Sequence, residues 1–269
     1  MLSKIFNKNK NIIIGAVHLP PLSGYPDSPG FDVAIANALH DTQALIDGGV
    51  DGIIFENNYD IPHTVHVGPE VISAMVRIGK ELKHKVQVPL GVNVLWNDYR
   101  AGLNIAKDLN LQFIRVPVFV DTIKTDYGVI SGDAQDTITF RKHIGAENVA
   151  LFTDIHVKHS ELILPEPIIA AARRAVEEHS DALIVTGKWT GDAPDTKELQ
   201  DVRETVGEFP ILCGSGVDEH NVKKLFAYSN GAIVSTSLKE DSASTHKINV
   251  KPYDVRISTE KTSRLVQAL

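Results

Sequence analysis

One cysteine, Cys213, is all that the 269 residues contain, so no disulfide can form within the chain. That is compatible with a reducing compartment, and the expectation is a cytoplasmic protein. Positive charge is not in surplus either: 27 Lys and Arg stand against 34 Asp and Glu, a formal net charge of -7. Binding to nucleic acid needs clustered cations to neutralise phosphates, so nucleic acid is not an expected partner. No apolar run approaches the length needed to cross a bilayer, and no transmembrane segment is expected. The start, MLSKIFNKNKN, is basic, and its apolar stretch is too short for a signal peptide, with Lys8 and Lys10 following it. Linkers, low-complexity tracts and breaks in composition are also missing, which predicts one domain over residues 1–269 with residues 1–10 as an N-terminal arm.

What the sequence does have is regular alternation. Short β-branched runs predict strands near residues 11–18, 52–57, 90–95, 113–119, 149–155, 182–188, 210–214 and 231–235. Each is apolar on both faces, as a parallel strand covered by helices should be. Helical patterns lie between them. The first closes on Gly48 and Gly49, and the second opens with Pro69 and Glu70 in its first turn. Further helices are expected from Asn97 as N-cap, over 133–144, 165–180 and 218–229, and over 259–269. Eight strands alternating with helices predict an α/β fold, a single (β/α)8 TIM barrel, with an open doubly wound sheet as the other architecture.

In a barrel of this kind the polar residues at the C-terminal strand ends converge on one pocket. Those ends supply His18, Glu56, Asn93, Arg115, Asp154, His156, Thr186, Lys188, Ser215, Ser235 and Thr236. Strand alternation places Asp154 with His156, and Thr186 with Lys188, on common faces. Glu56, Asp154, His18, His156 and Lys188 are the candidate catalytic groups, and Asn93, Arg115 and Thr186 candidate substrate contacts. Glu56 ends a buried strand, where desolvation favours the protonated carboxyl and suits acid–base work; a structural pairing with Arg115 or Lys188 is the alternative. Lys188 suits a Schiff base if desolvated, or an anion contact. His18, Asp154 and His156 could also hold a divalent metal, although they lack a defining ligand spacing, so no metal residues are assigned.

The C-terminal motifs are more specific. ILCGSGV is strand, Gly-Ser-Gly, helix, and GAIVSTSLK is strand followed by a hydroxyl-rich turn. Small side chains at Gly214, Ser215, Gly216, Ser235 and Thr236 let backbone N–H groups approach a phosphate at the seventh and eighth strands. The alternative is that Gly214 and Gly216 only permit a tight turn. Cys213, inside a strand, reads as packing.

The runs IIGAVHLPPLSG, GVDGIIFEN, VGPE, PLGVNVLWND, FIRVPVF, TDIHVKH, ALIVTGKWTG, ILCGSGV and AIVSTSLK, in this order from about residue 12 to 240, resemble the BtpA family, which includes the SgcQ-type proteins. The resemblance implies a TIM barrel of the phosphate-binding type. It links the founding members to photosystem I biogenesis and others to sugar utilisation. The expectation is an enzyme, an isomerase, lyase or hydrolase, acting on a phosphorylated small molecule such as a sugar phosphate or a nucleotide-like compound. A non-catalytic biogenesis factor and a metal-dependent hydrolase are the alternatives. A homo-oligomer stays open.

Overall fold

The computed structural model describes residues 1–241 and 249–269. A short helix, α1 (Leu2–Phe6), precedes β1 (Ile12–His18). There follow α2 (Phe31–Asp47), β2 (Gly52–Glu56), α3 (Pro69–Lys85), β3 (Leu90–Asn93), α4 (Tyr99–Asp108) and β4 (Phe113–Val116). An excursion of two strands, β5 (Thr122–Thr125) and β6 (Gly128–Ser131), comes before α5 (Ala134–His143) and β7 (Ala150–Ile155). The chain continues through β8 (Glu161–Leu162), α6 (Ile168–Glu177), β9 (Ala182–Val185), α7 (Thr196–Val206), β10 (Ile211–Cys213), α8 (Val222–Leu225), β11 (Gly231–Val234) and α9 (Thr259–Gln267). Strands β1, β2, β3, β4, β7, β9, β10 and β11 pair in parallel and close into a barrel, with β11 returning to β1. The excursion strands form a separate sheet in the order β6-β5-β8.

Two apolar layers hold this together, and strand alternation divides them. Ile13, Val17, Ile53, Phe55, Val92 and Ile114 point outward into the layer shared with the helices. Ile12, Ile14, Ala16, Ile54, Phe113, Phe152, Ile184, Leu212 and Ile233 point inward. Inside the barrel, Phe113 and Phe152 stack with ring centroids 4.6 Å apart. Gly91 makes room for them, because a Cβ there would come within 2.3 Å of the Phe113 ring. The N-terminal arm completes the floor: Leu2 and Phe6 are buried against this inner layer, and the Phe6 ring lies 5.9 Å from Phe113 and 6.4 Å from Phe152. The arm's alternation of Leu2, Ile5 and Phe6 with polar residues is one helical turn whose apolar side stoppers the barrel.

Several local expectations shift. Helix α4 is capped by Asp98, whose carboxylate accepts from the Ala101 N–H, one residue beyond the predicted Asn97. Asn97 instead pins the chain after β4, accepting from the Val118 N–H and donating to the Val118 carbonyl, both at 2.8 Å. Helix α7, which hydrophobic patterning alone does not single out, is capped by Asp195 accepting from the N–H groups of Lys197 and Glu198. Strands β3, β4 and β9 end sooner than predicted, at Asn93, Val116 and Val185, because the chain leaves the barrel at the level where the interior turns polar.

Replacing Phe6 with alanine removes the stopper ring from a closed apolar floor and is expected to destabilise the fold by about 3 kcal/mol. Urea unfolding of Phe6→Ala against the wild type measures this; a change within about 0.5 kcal/mol, as for an ordinary surface position, contradicts the packing role.

Candidate functional site

Above the apolar floor the inward positions become charged. Ala16 is followed by His18, Ile54 by Glu56, Gly91 by Asn93, Phe113 by Arg115 and Phe152 by Asp154, each two residues on and so on the same face. Register aligns them: His18 pairs with Glu56 across β1 and β2, and Glu56 with Asn93 across β2 and β3. The result is a buried ionic network. Arg115 grips Asp154 with both ends of its fork, Nε to Oδ1 and a terminal nitrogen to Oδ2, each at 2.8 Å. Its other terminal nitrogen donates to Glu56 Oε1 at 3.4 Å, and Asn93 Nδ2 donates to the same oxygen at 3.2 Å. His18 Nε2 lies 3.8 Å from Glu56 Oε2.

Burial and charge set the protonation states. Burial alone would lower the pKa of the Arg115 guanidinium, but Asp154 and Glu56 beside it outweigh that and raise it, so it stays charged. Burial raises the Asp154 carboxyl against the pull of Arg115. Burial, helped by the positive charges of Lys239, Lys158 and Arg115, lowers His18 well below its ordinary range, leaving a neutral imidazole. The Asn58 amide nitrogen lies 3.3 Å from His18 Nδ1. An amide nitrogen only donates, so Nδ1 accepts and Nε2 carries the proton toward Glu56.

The network forms one wall of a cavity of about 260 Å³. The same cavity is lined by the pair of turns that the sequence singles out, Gly214, Ser215, Gly216, Ser235 and Thr236. Leu95, Trp96 and Val157 supply its apolar sides. Three buried side-chain atoms on this lining, His63 Nδ1, Asn93 Oδ1 and Ser235 Oγ, have no hydrogen-bond partner among the described residues. Gly216 has a φ of 65°, and a Cβ there would come within 2.0 Å of the Ala193 backbone. Glycine at 216 is therefore required by the turn and by the loop lying over it, whatever else its N–H does.

Three predicted site residues stand elsewhere. Strand β7 ends at Ile155, and His156 takes a φ of 51°, which turns its side chain off the face it was expected to share with Asp154. Its N–H is held by Asp121 Oδ2 at 2.9 Å. His18, Asp154 and His156 consequently do not form a metal set. The nearest approach to one among the described residues is Asp121, His156 and Glu166, whose ligand atoms lie within 4.8 Å of one another. Arg174 already bridges those two carboxylates, at 3.4 Å to Asp121 and 2.6 Å to Glu166, so the group is an ion-pair cluster. Lys188, beyond the end of β9, is exposed and places its ammonium 5.7 Å from the Trp189 ring centroid, in a second depression behind the cavity. Thr186 does not line the main cavity; its hydroxyl accepts from the Lys158 N–H at 3.1 Å.

That hydrogen bond bears on a residue the sequence reading passed over. Lys158 lines the cavity, where burial first, and then the charge of Arg115, lowers its pKa to about 8. Its Nζ makes no ion pair or hydrogen bond among the described residues. In TDIHVKH it follows Asp154 and His156 at the strand end, a position to which the sequence alone assigns no role. Lys239 was likewise not selected. It is buried at the edge of the site, its Nζ 3.3 Å from the Tyr59 hydroxyl, and burial lowers it to about 8. Cys213 is buried packing against Ser229, its thiol pushed up by burial to about 12.

Removing the guanidinium strands a buried carboxylate. Arg115→Met is expected to lose about 3–5 kcal/mol of stability, with Arg115→Met/Asp154→Leu recovering much of it; thermal and urea unfolding of both variants decides, and equal losses in the single and double variants contradict the pairing. A separate test uses His63, which lines the cavity and which burial lowers to about 4 from its ordinary 6.5. The unfolded chain binds this proton first, so His63 makes stability fall as pH falls from about 6.5 to about 4. His63→Leu is expected to flatten the pH–stability curve in that window relative to wild type, and parallel curves contradict it.

Comparison with known proteins agrees with this architecture. The model of the BtpA family matches residues 9–260. The photosystem I biogenesis protein BtpA of Synechocystis is 37% identical over 232 residues, covering 85% of this chain and 80% of its own. The sgc region protein SgcQ of Escherichia coli is 33% identical over 233 residues, covering 85% and 86%. Among solved structures, phosphoribosyl anthranilate isomerase from Thermus thermophilus superimposes with a TM-score of 0.56 at 12% identity, covering 96% of this chain and 97% of that one, a likeness of fold. A family model spanning nearly the whole chain, two relatives above 30% identity and a closed eight-stranded barrel lead to one conclusion: the chain belongs to the BtpA family.

Proposed function

We propose that the chain is an enzyme that binds a phosphorylated small molecule in the barrel cavity and transforms it by acid–base chemistry. One observation carries this reading. A single cavity is lined both by a desolvated network of acid, cation and neutral imidazole and by turns of small residues. Turns of this composition at the last two barrel strands suit a phosphate, because backbone N–H groups can approach it closely. Ser235 Oγ, buried without a partner in the protein, offers a further hydrogen bond on the same side. Phosphoribosyl anthranilate isomerase, whose name carries a phosphorylated substrate, shares the fold and lends the reading analogy only.

In this reading phosphate sits between Gly216 and Thr236, and the reacting end of the molecule points at Glu56 and His18. Glu56 has one oxygen held by Arg115 and Asn93 and the other facing His18 Nε2. It is the group placed to take or return a proton, with the neutral His18 N–H donating to a developing oxyanion. Asp154, tied in a bidentate grip, keeps Arg115 oriented and is a positioning residue.

Titration of inorganic phosphate and ribose 5-phosphate by calorimetry tests the phosphate half. Binding to wild type, weakened about tenfold in Ser235→Ala, is expected from one lost hydrogen bond to a charged group. No binding, or equal binding by wild type and variant, contradicts it. For the catalytic half, a panel of sugar phosphates identifies a turned-over compound. Glu56→Gln is then expected to lower kcat by about 10²-fold or more while phosphate affinity holds; unchanged kcat removes Glu56 from the role.

A further inference from the structure

We infer that Lys158 is a covalent nucleophile and that the substrate is a phosphorylated aldehyde or ketone, held as a Schiff base on Lys158 Nζ. This rests on the proposed phosphate-binding function and names the chemistry of the same site. Lys158 is half-buried on the cavity lining, where an ammonium gives up part of its hydration. Of the two carboxylates in the same network, Asp154 is spent on Arg115, and Glu56 has one oxygen on Arg115 and Asn93 and the other toward His18. Lys158 Nζ has no ion pair or hydrogen bond among the described residues. Its backbone, by contrast, is fixed, since the Lys158 N–H donates to Thr186 Oγ1 at 3.1 Å. The amine thus projects from an anchored position into a cavity whose remaining sides include Leu95, Trp96 and Val157.

Those surroundings lower its pKa to about 8, which raises the share of uncharged amine, the form that attacks carbonyl carbon. The Nζ lone pair forms a C–N bond as the carbonyl π pair moves to oxygen, and that oxygen takes a proton. Nitrogen gives up one proton, the resulting hydroxyl takes another and leaves as water, and a protonated C=N bond remains. Glu56 stands in the same network to accept and return these protons. The iminium then draws electrons from the adjacent carbon, which permits proton removal or carbon–carbon cleavage there.

Reductive trapping tests this. The full chain is incubated with pyridoxal 5′-phosphate, or with the smaller glycolaldehyde phosphate, and cyanoborohydride, and labelled lysines are mapped by peptide mass spectrometry. Lys158 is expected to label about tenfold or more faster than the exposed Lys188, because a desolvated amine is the better nucleophile. Inorganic phosphate is expected to suppress that label, and Lys158→Arg to abolish it while circular dichroism stays unchanged. Labelling of Lys188 and other surface lysines in preference to Lys158 overturns the inference. If calorimetric phosphate binding persists in that case but weakens in Lys158→Arg, Lys158 is an ammonium holding an anion; the Schiff base fails and the phosphate reading stands. Fast labelling of Lys158 that phosphate does not suppress supports the nucleophile and overturns the phosphate placement.

Discussion

A guanidinium inside a closed barrel cannot be left to itself. Desolvating Arg115 costs several kcal/mol, and only ionised partners in good geometry offset that. Asp154 and Glu56 provide the partners, and their positions dictate much of what lies above the apolar floor. Asp154 must come from the neighbouring strand β7, and Glu56 must reach across from β2. Asn93 and His18 then occupy the flanking positions at the same level. The stacked Phe113 and Phe152 beneath, closed off by Phe6, keep the barrel interior below the network apolar. The polar wall is therefore rigid for the same reason that it is costly.

That rigidity has a functional consequence. A cluster fixed by charge pairing presents a preorganised surface to whatever enters the cavity. The turns lining the same cavity are made of backbone and small hydroxyl side chains, and Gly216 is held in its turn by the overlying Ala193 backbone. Between the charged network and the polar turns, the lining groups left with unused capacity among the described residues are few: His63 Nδ1, Asn93 Oδ1, Ser235 Oγ and the Lys158 amine. The proposed chemistry is assigned to Ser235 and Lys158 among them, and to Glu56 with His18, while Arg115 and Asp154 are committed to each other. The chain is related to both a photosystem I biogenesis protein and an sgc region protein, and one biological role does not follow from that.

How far the sequence reaches can be seen residue by residue. The eight-stranded barrel was legible because buried parallel strands leave continuous apolar runs and helices leave a longer period. Within a strand the period of two holds, and Ala16 shares a face with His18, Ile54 with Glu56, and Phe113 with Arg115. One residue past the strand end it fails, since His156 has a left-handed backbone and Lys188 follows a strand that stops at Val185. Lys158 was hidden for the converse reason. It belongs to no strand, and only the Thr186 hydrogen bond and the turn after Ile155 carry it into the cavity. The floor was missed because a five-residue helix is too short to show a period, so the N-terminal arm looked like an appendage.

The most direct test of the account is a crystal structure of the protein soaked with glycolaldehyde phosphate and reduced with cyanoborohydride. Phosphate density between Gly216 and Thr236, continuous through the ligand to Lys158 Nζ, is the predicted result. Density confined to the second depression beside Lys188, or a main cavity holding only solvent, would contradict it.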